Sequence, residues 1–165
     1  MLTEDDRRLL KIFSQDCRLT ADDLAIRTGL DREYIAQKIK QWEEEKIIVD
    51  YRPLINWEQA GEEKVSALID VKVLPQLDFG FDKIAKRIQK FPEITAVSLM
   101  SGGYDLSLLI EGKTMKEIAL FVAEKLAPLE HVQSTATHFV LRRYKQDGIE
   151  LAGQDETFQR LMVSP

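Results

Sequence analysis

A glycine-bearing loop in the second half of the chain has the residue types that could hold a small ligand. It reads Ser101-Gly102-Gly103-Tyr104-Asp105 and lies between two apolar runs that predict β-strands. The two glycines allow a turn with positive φ that brings backbone N–H groups close to a ligand carboxylate, while Asp105 can accept a hydrogen bond from an α-amino group. The alternative is an ordinary glycine hairpin with no ligand.

A predicted helix that begins near residue 32 carries a second set of functional side chains. Arg32 suits the O6 and N7 atoms of guanine, Gln37 suits adenine, and Glu33 can accept a hydrogen bond from cytosine. The basic side chains on and near this helix suit DNA phosphates. The alternative is a charged face that only contacts solvent. The predicted base-facing residues are Arg32, Glu33, Tyr34, Gln37 and Gln41, and the predicted phosphate contacts are Lys38, Lys40 and Arg27.

The overall charge argues against nucleic-acid binding through a large basic surface. The chain has 165 residues, with 23 Lys and Arg against 28 Asp and Glu, which gives a formal charge of −5. Between Arg27 and Trp42, however, four basic side chains face only two acidic ones, Asp31 and Glu33. A modest local charge on an acidic protein predicts weak non-specific binding by one copy, with affinity regained by several linked copies.

The residue patterns predict neither a catalytic nor a metal site. Cys17 is the only cysteine, which excludes an intramolecular disulfide, and His131 and His138 do not have the spacing of metal ligands. Motifs of nucleophilic or phosphate-binding enzymes are absent from the sequence. No apolar run approaches the roughly 18 residues that span a bilayer, so we expect no membrane partner. With its single cysteine, the chain is expected to be cytoplasmic. We also expect no cofactor.

The first 60 residues predict a winged helix-turn-helix domain. Thr3, Thr20 and Asp31 are suited to cap three short helices, and Gly29 ends the second of them. Two helices joined by a short turn at a glycine are typical of DNA-binding domains. Two β-rich runs, Ile47-Ile48-Val49 and 51–55, follow the third helix and predict a hairpin wing.

Residues 61–145 predict a ferredoxin-like domain, which makes the chain an α+β protein. The predicted order is strand, helix, strand, strand, helix, strand, the βαββαβ arrangement. We expect its open sheet face to be covered by the sheet of a second copy, which predicts a dimer. Residues 146–165 are a C-terminal tail in which 157–163 could form a short element. The predicted strands and helices occupy 65–73, 81–91, 94–100, 106–110, 114–126 and 132–144.

This combination resembles the Lrp/AsnC family, also called the feast/famine regulators. The resemblance covers about residues 2–145 and depends on the helix-turn-helix with its Gly29-Leu30 turn, the loop 101–105, and Thr135-Ala136-Thr137 in the last strand. It differs from the family pattern at Gly103, where an acidic residue is common. The resemblance implies a transcription regulator whose second half binds an amino acid and assembles dimers into larger rings. It also implies that the effector lies near Thr135, Thr137, His138, Phe139 and Val140.

The predicted partners are therefore double-stranded DNA, a small effector such as an amino acid, and further copies of the chain in a dimer and a higher oligomer such as a tetramer or octamer. Two alternatives remain at this point. One is a metabolite-binding module without DNA binding, which the acidic charge favours. The other is an enzyme that resembles the tetrapyrrole decarboxylases related to this family, in which His138 would contact the tetrapyrrole.

Overall fold

A computed structural model of the chain describes residues 1–74 and 80–151. The chain divides into an N-terminal unit, Met1–Ile55, and a C-terminal unit, Asn56–Pro165. The short element predicted at 157–163 lies outside the described residues. Within the described part, no helix is long and apolar enough to cross a membrane.

The N-terminal unit consists of three helices: α1 (Glu4–Gln15), α2 (Ala21–Thr28) and α3 (Arg32–Glu44). The predicted caps are confirmed: each of the side chains of Thr3, Thr20 and Asp31 accepts a hydrogen bond from a backbone N–H in the first turn of its helix. The core of the unit is formed by one buried stripe from each helix, which fixes the turn between α2 and α3. Its fully or nearly buried members are Leu9, Phe13, Leu24, Ile35 and Trp42.

The turn between α2 and α3 depends on a glycine in the left-handed conformation. Gly29 has φ 75°, and its N–H donates to the carbonyl of Ala25 at 2.8 Å, which closes the last turn of α2. Asp31 Oδ1 then accepts from the N–H of Tyr34 at 2.9 Å and starts α3. The predicted helix-turn-helix is therefore confirmed.

The predicted hairpin wing is wrong, because residues 45–64 contain no strand. The N–H groups of Ile47 and Ile48 both donate to the carbonyl of Trp42, at 2.9 and 3.0 Å, and Lys46 before them has φ 58°. These amides satisfy the free carbonyl at the end of α3, so they are not available for a strand ladder. Ile48 also packs against the helical core, which turns the chain back onto the helices.

The C-terminal unit has the predicted ferredoxin-like fold. Its elements are β1 (Val65–Val73), α4 (Phe81–Ile88), β2 (Ile94–Leu99), β3 (Leu106–Gly112), α5 (Met115–Phe121) and β4 (Val132–Val140). The four antiparallel strands pair in the order β2-β3-β1-β4. A turn of π-helix, Val122–Leu126, extends α5.

One face of this sheet is covered by the helices and the other is open. The central strands β1 and β3 alternate buried and less buried residues, as expected for a sheet covered on one side. Ala67, Ile69 and Val71 point to the covered side, where they pack with Ile84, Ile118 and other apolar side chains of the helices. Leu68, Asp70 and Lys72 therefore point to the open side.

The last strand is shorter than predicted and is followed by a small hairpin. β4 ends at Val140 rather than near Tyr144, and β5 (Lys145–Gln146) pairs with β6 (Ile149–Glu150). Asp147 and Gly148 between them have φ 49° and 81°, the signs that a two-residue hairpin turn requires. The β-rich run before this turn therefore ends in a local hairpin instead of extending β4.

Candidate DNA-binding helix and effector loop

Helix α3 separates its buried stripe from an exposed face by its own periodicity. Ile35 and Trp42 are almost completely buried. Glu33, Gln37 and Lys40 are exposed and lie on the opposite side, at spacings of four and three residues. These three predicted DNA contacts therefore project together from one face of the helix.

Two of the eight residues predicted to contact DNA are turned onto α1 instead. Tyr34 Oη donates to Asp6 Oδ1 at 3.0 Å, and Lys38 Nζ lies 3.3 Å from the same oxygen. Their placement on the free face of α3 is wrong, because positions 34 and 38 border the buried stripe and a carboxylate from α1 lies within reach. Whether either side chain contacts DNA in a complex stays a prediction.

Asp6 is the one charged side chain that is buried among the residues that the structure describes, with 1% of its surface exposed. Burial alone would raise the pKa of its carboxyl group. Hydrogen bonds from the Thr3 backbone, Tyr34 and Lys38 outweigh that effect and hold the pKa below its ordinary value. Asp6 is therefore ionised at neutral pH. Its position in the capping box of α1 did not indicate that it also contacts Tyr34 and Lys38 of α3.

The remaining predicted DNA contacts lie around the start and end of the exposed face. Arg32 Nε lies 2.6 Å from Asp22 Oδ1 on α2, and both side chains are well exposed. Gln41 donates to the side chain of Glu45, the C-cap residue of α3, at 2.7 Å. Arg27 is exposed in the last turn of α2. No sequence pattern pointed to Asp22, since an acidic residue in the first turn of a helix is common without any partner.

The glycine loop joins β2 to β3 and is exposed at Ser101, Gly102, Gly103 and Tyr104. The expectation of positive φ at the two glycines is wrong: the glycines with positive φ in the described chain are Gly29, Gly61 and Gly148. The connection is six residues long, so it reverses direction without a left-handed residue. A Cβ at either Gly102 or Gly103 would meet nothing within 4 Å. Packing within the described chain therefore gives no reason for glycine there.

Asp105 closes this loop onto β1. Its Oδ2 accepts from the N–H of Val73 at 2.8 Å, its Oδ1 lies 3.3 Å from Lys72 Nζ, and its own N–H donates to Val71. The hydrogen bond from Val73 lowers the pKa of Asp105, burial opposes this, and Lys72 lowers it further, so that the pKa lies below its ordinary value. Lys72, which the sequence did not single out, adds a cation to the predicted site.

The predicted residues of β4 do not form one group with this loop. Thr135 pairs with Val71 and lies near the loop end of the sheet, whereas Val140 pairs with Ser66 at the other end. Val73 follows Ser66 by seven positions along β1, a distance of about 23 Å at 3.3 Å per residue. An amino acid bound at Asp105 is too short to contact Val140 of the same copy.

The two faces of the sheet also separate these residues. Thr135, Thr137 and Phe139 are opposite the buried residues of β1 and point to the covered side. His138 points to the open side, where its Nε2 lies 3.6 Å from Asp70 Oδ2 and 62% of the side chain is exposed. Within the described residues no three His, Cys, Asp or Glu side chains form a cluster that could hold a metal ion.

Comparison with known proteins identifies both units. Residues 66–149, half of the chain, match the model of the Lrp/AsnC ligand binding domain. The chain is 42% identical to the uncharacterised HTH-type transcriptional regulator YugG of Bacillus subtilis (strain 168) over 166 residues, which cover 99% of each protein.

Solved structures of regulators have the same fold. A transcriptional regulator of Neisseria meningitidis in complex with L-Met has a TM-score of 0.72 and 25% identity, with 88% of this chain and 94% of that chain covered. A feast or famine regulatory protein of Mycobacterium tuberculosis, complexed with L-methionine, has a TM-score of 0.75 and 20% identity, with 92% and 100% covered. Together with the matched domain and the relative from Bacillus, these structures identify this chain as a member of the Lrp/AsnC family of transcriptional regulators.

Proposed function

We propose that this chain binds DNA through α3 and regulates genes of amino-acid metabolism in response to a small effector, an amino acid, bound at the loop 101–105. Because its proposed partner is chromosomal DNA, we place the protein in the cytoplasm. The proposed mechanism is a change in the assembly of copies, or in the spacing of their helix-turn-helix units, when the effector binds.

The exposed face of α3 is the observation that carries the DNA-binding part. It offers a carboxylate, an amide and an ammonium group, from Glu33, Gln37 and Lys40, on a helix whose opposite side is fixed by Ile35 and Trp42. A helix of 13 residues with such a face has the size and polarity to enter a major groove. Arg32 at its first turn is the proposed guanine contact, and Arg27 and Lys40 are the proposed phosphate contacts.

The ion pair of Lys72 and Asp105 supports an amino-acid effector. The ammonium of Lys72 and the carboxylate of Asp105 lie 3.3 Å apart. When a zwitterionic amino acid binds, Lys72 can pair with its carboxylate and Asp105 with its ammonium group. Gly102 and Gly103 would let the ligand approach the backbone closely, since no contact inside the chain accounts for them. The complex of the Neisseria regulator with L-Met supports this chemical class.

Assembly of several copies completes the proposal. The loop is exposed and Val140 is about 23 Å from it, so Val140 would reach an effector only from another copy. The open sheet face, with Leu68 45% exposed at its centre, is the proposed dimer contact. In the proposed complex, the two α3 helices of a dimer occupy successive major grooves, about one turn of DNA apart.

A gel shift on the DNA upstream of the protein's own gene tests both parts. We expect a specific shift at low salt, and a changed affinity or stoichiometry with one of a panel of amino acids that includes alanine, leucine and methionine. Arg32→Ala combined with Gln37→Ala should abolish the preference for this DNA over random DNA. If the double variant binds as specifically as the parent, α3 does not read the operator in this way.

A second experiment tests effector binding with Lys72→Gln. Its control is Lys113→Gln, which removes the same charge from an exposed position. We expect Lys72→Gln to remove the response to the amino acid while binding to DNA without effector is retained. An unchanged response would move the effector site away from this ion pair.

A further inference from the structure

The carboxylate of Asp6 removes one lysine from the surface of the DNA-binding helix. Lys38 Nζ lies 3.3 Å from Asp6 Oδ1 and 3.4 Å from Oδ2, and 23% of the lysine side chain is exposed. The same ammonium lies 5.6 Å from the centre of the Tyr34 ring, and the hydroxyl of Tyr34 donates a hydrogen bond to Asp6. Lys38 is therefore held by a carboxylate on one side and an aromatic face on the other.

Lys40, two residues further on, is placed differently. It is exposed and lies on the face with Glu33 and Gln37, away from α1. The two lysines of α3 thus differ in what they can offer to a DNA phosphate, although the sequence alone suggests that they are equivalent. In particular, the charge of Lys38 is already neutralised by a buried carboxylate with two further hydrogen-bond donors, Thr3 N–H at 3.0 Å and Tyr34.

We propose that Asp6 is a specificity-determining residue, which withholds Lys38 from the DNA backbone and so keeps non-specific binding weak. The inference rests on the proposed DNA binding through α3. Phosphate contacts raise affinity for every DNA sequence alike, whereas contacts to base edges distinguish sequences. Withholding one phosphate contact in each copy therefore lowers non-specific affinity and leaves the base contacts of α3 in place.

The size of the effect follows from counterion release. Each phosphate contact adds about 0.9 to the slope of log K against log salt concentration. Releasing Lys38 would thus steepen the slope by about 0.9 for one copy and about 1.8 for a dimer. Between 50 and 200 mM salt, this corresponds to an additional loss of affinity of about 3- to 4-fold for one copy and about 12-fold for a dimer.

The test measures affinity for a random-sequence duplex against salt concentration with the full-length protein. Asp6→Asn keeps the size of the side chain and removes its charge. We expect it to bind this DNA more tightly than the parent at low salt, with the steeper slope given above. Asp5→Asn is the matched control, since Asp5 is an exposed neighbour on the same helix and the change in net charge is identical. Its slope should equal that of the parent.

Two further variants separate the contribution of Lys38 from any effect of Asp6→Asn on folding. Lys38→Gln alone should leave the parent slope unchanged, and Asp6→Asn with Lys38→Gln should return the slope to the parent value. The inference is overturned if Lys38→Gln alone lowers the slope by about 0.9 per copy, or if Asp6→Asn and Asp5→Asn have equal slopes. If the parent itself binds no DNA at low salt, the proposed function fails instead.

Discussion

Asp105 anchors the loop 101–105 to the end of β1, and replacing it by asparagine should loosen that end of the strand. The substitution preserves the shape of the side chain but removes the charge that Val73 N–H and Lys72 Nζ contact at 2.8 and 3.3 Å. A hydrogen bond to a charged group contributes about 1.5–3 kcal/mol and one to a neutral group about 0.5–1.5 kcal/mol. We therefore expect Asp105→Asn to cost about 1–2 kcal/mol of local stability.

Hydrogen exchange at the amide of Val73 measures this cost directly, because that amide donates to the altered carboxylate. At 1.36 kcal/mol for each factor of ten, exchange should be about 5- to 30-fold faster at pH 7, after correction for the intrinsic rate. Asp147→Asn is the matched control. Asp147 is exposed in the hairpin after β4, and its φ of 49° is one that asparagine also tolerates, so exchange at Val73 should not change.

The stabilisation by Asp105 should depend on pH, in a direction set by the shift of its pKa. The Val73 hydrogen bond, opposed by burial and aided by Lys72, holds the pKa of Asp105 below its value in the unfolded chain, about 3.9. A depressed pKa stabilises the folded state above the unfolded value, and this contribution is lost as the pH falls through the folded value. The difference between parent and Asp105→Asn should thus be full at pH 7 and should shrink below about pH 4.

Equal exchange at Val73 in Asp105→Asn and Asp147→Asn at pH 7 would refute this role of Asp105. A difference between parent and Asp105→Asn that grows as the pH falls below 4 would refute it as well. Either outcome would mean that the carboxylate does not hold the strand end, and that the pairing of β1 with β3 and β4 does so alone.

Three further predictions concern α3, the glycines and the sheet face. Lys40→Ala should lower the slope of log K for DNA binding against log salt concentration by about 0.9 for each copy, whereas Gln41→Ala should not alter it. If the slopes of Lys40→Ala and the parent are equal, Lys40 does not contact a phosphate. Gly29→Ala should lower the free energy of unfolding in urea by about 1 kcal/mol, because φ there is 75°. In contrast, Gly102→Ala should leave that free energy unchanged and weaken the effector response, since its Cβ has space inside the chain; a loss of stability in Gly102→Ala would contradict this. Leu68→Asp should dissociate the proposed dimer, as measured by light scattering, whereas Leu120→Asp, which alters an exposed leucine of α5, should not.

The sequence predicted the order of the secondary structure well, because that order depends on local signals. Thr3, Thr20 and Asp31 cap helices where their side chains and spacing suggested. The wing after α3 failed for an equally local reason. The β-rich run contains Ile47 and Ile48, but their amides are needed to end α3, and hydrogen bonding of the helix end overrides strand propensity.

The details of the site were harder to predict because they depend on contacts distant in sequence. Asp6 meets Lys38 across 32 positions, and Lys72 meets Asp105 across 33. Periodicity identified the exposed and buried sides of α3, but could not show that a carboxylate of α1 borders positions 34 and 38. Similarly, the run from Thr135 to Val140 is continuous in sequence, but in the sheet it pairs with six of the nine residues of β1 and alternates between two faces.

These contacts also reduce the net positive charge that the sequence predicts for α3 and the turn before it. From Arg27 to Trp42 the sequence has two more basic than acidic side chains. The structure brings two carboxylates from outside this stretch, Asp6 and Asp22, into ion pairs with Lys38 and Arg32. Counted with them, the four basic side chains are balanced by four acidic ones. The region around α3 therefore has little net positive charge with which to hold DNA, and we expect stable binding to require base contacts made by several copies at once. Leu68→Asp, if it dissociates the dimer, should for this reason weaken operator binding far more than a change of one charge on α3, and equal losses would refute this dependence on assembly.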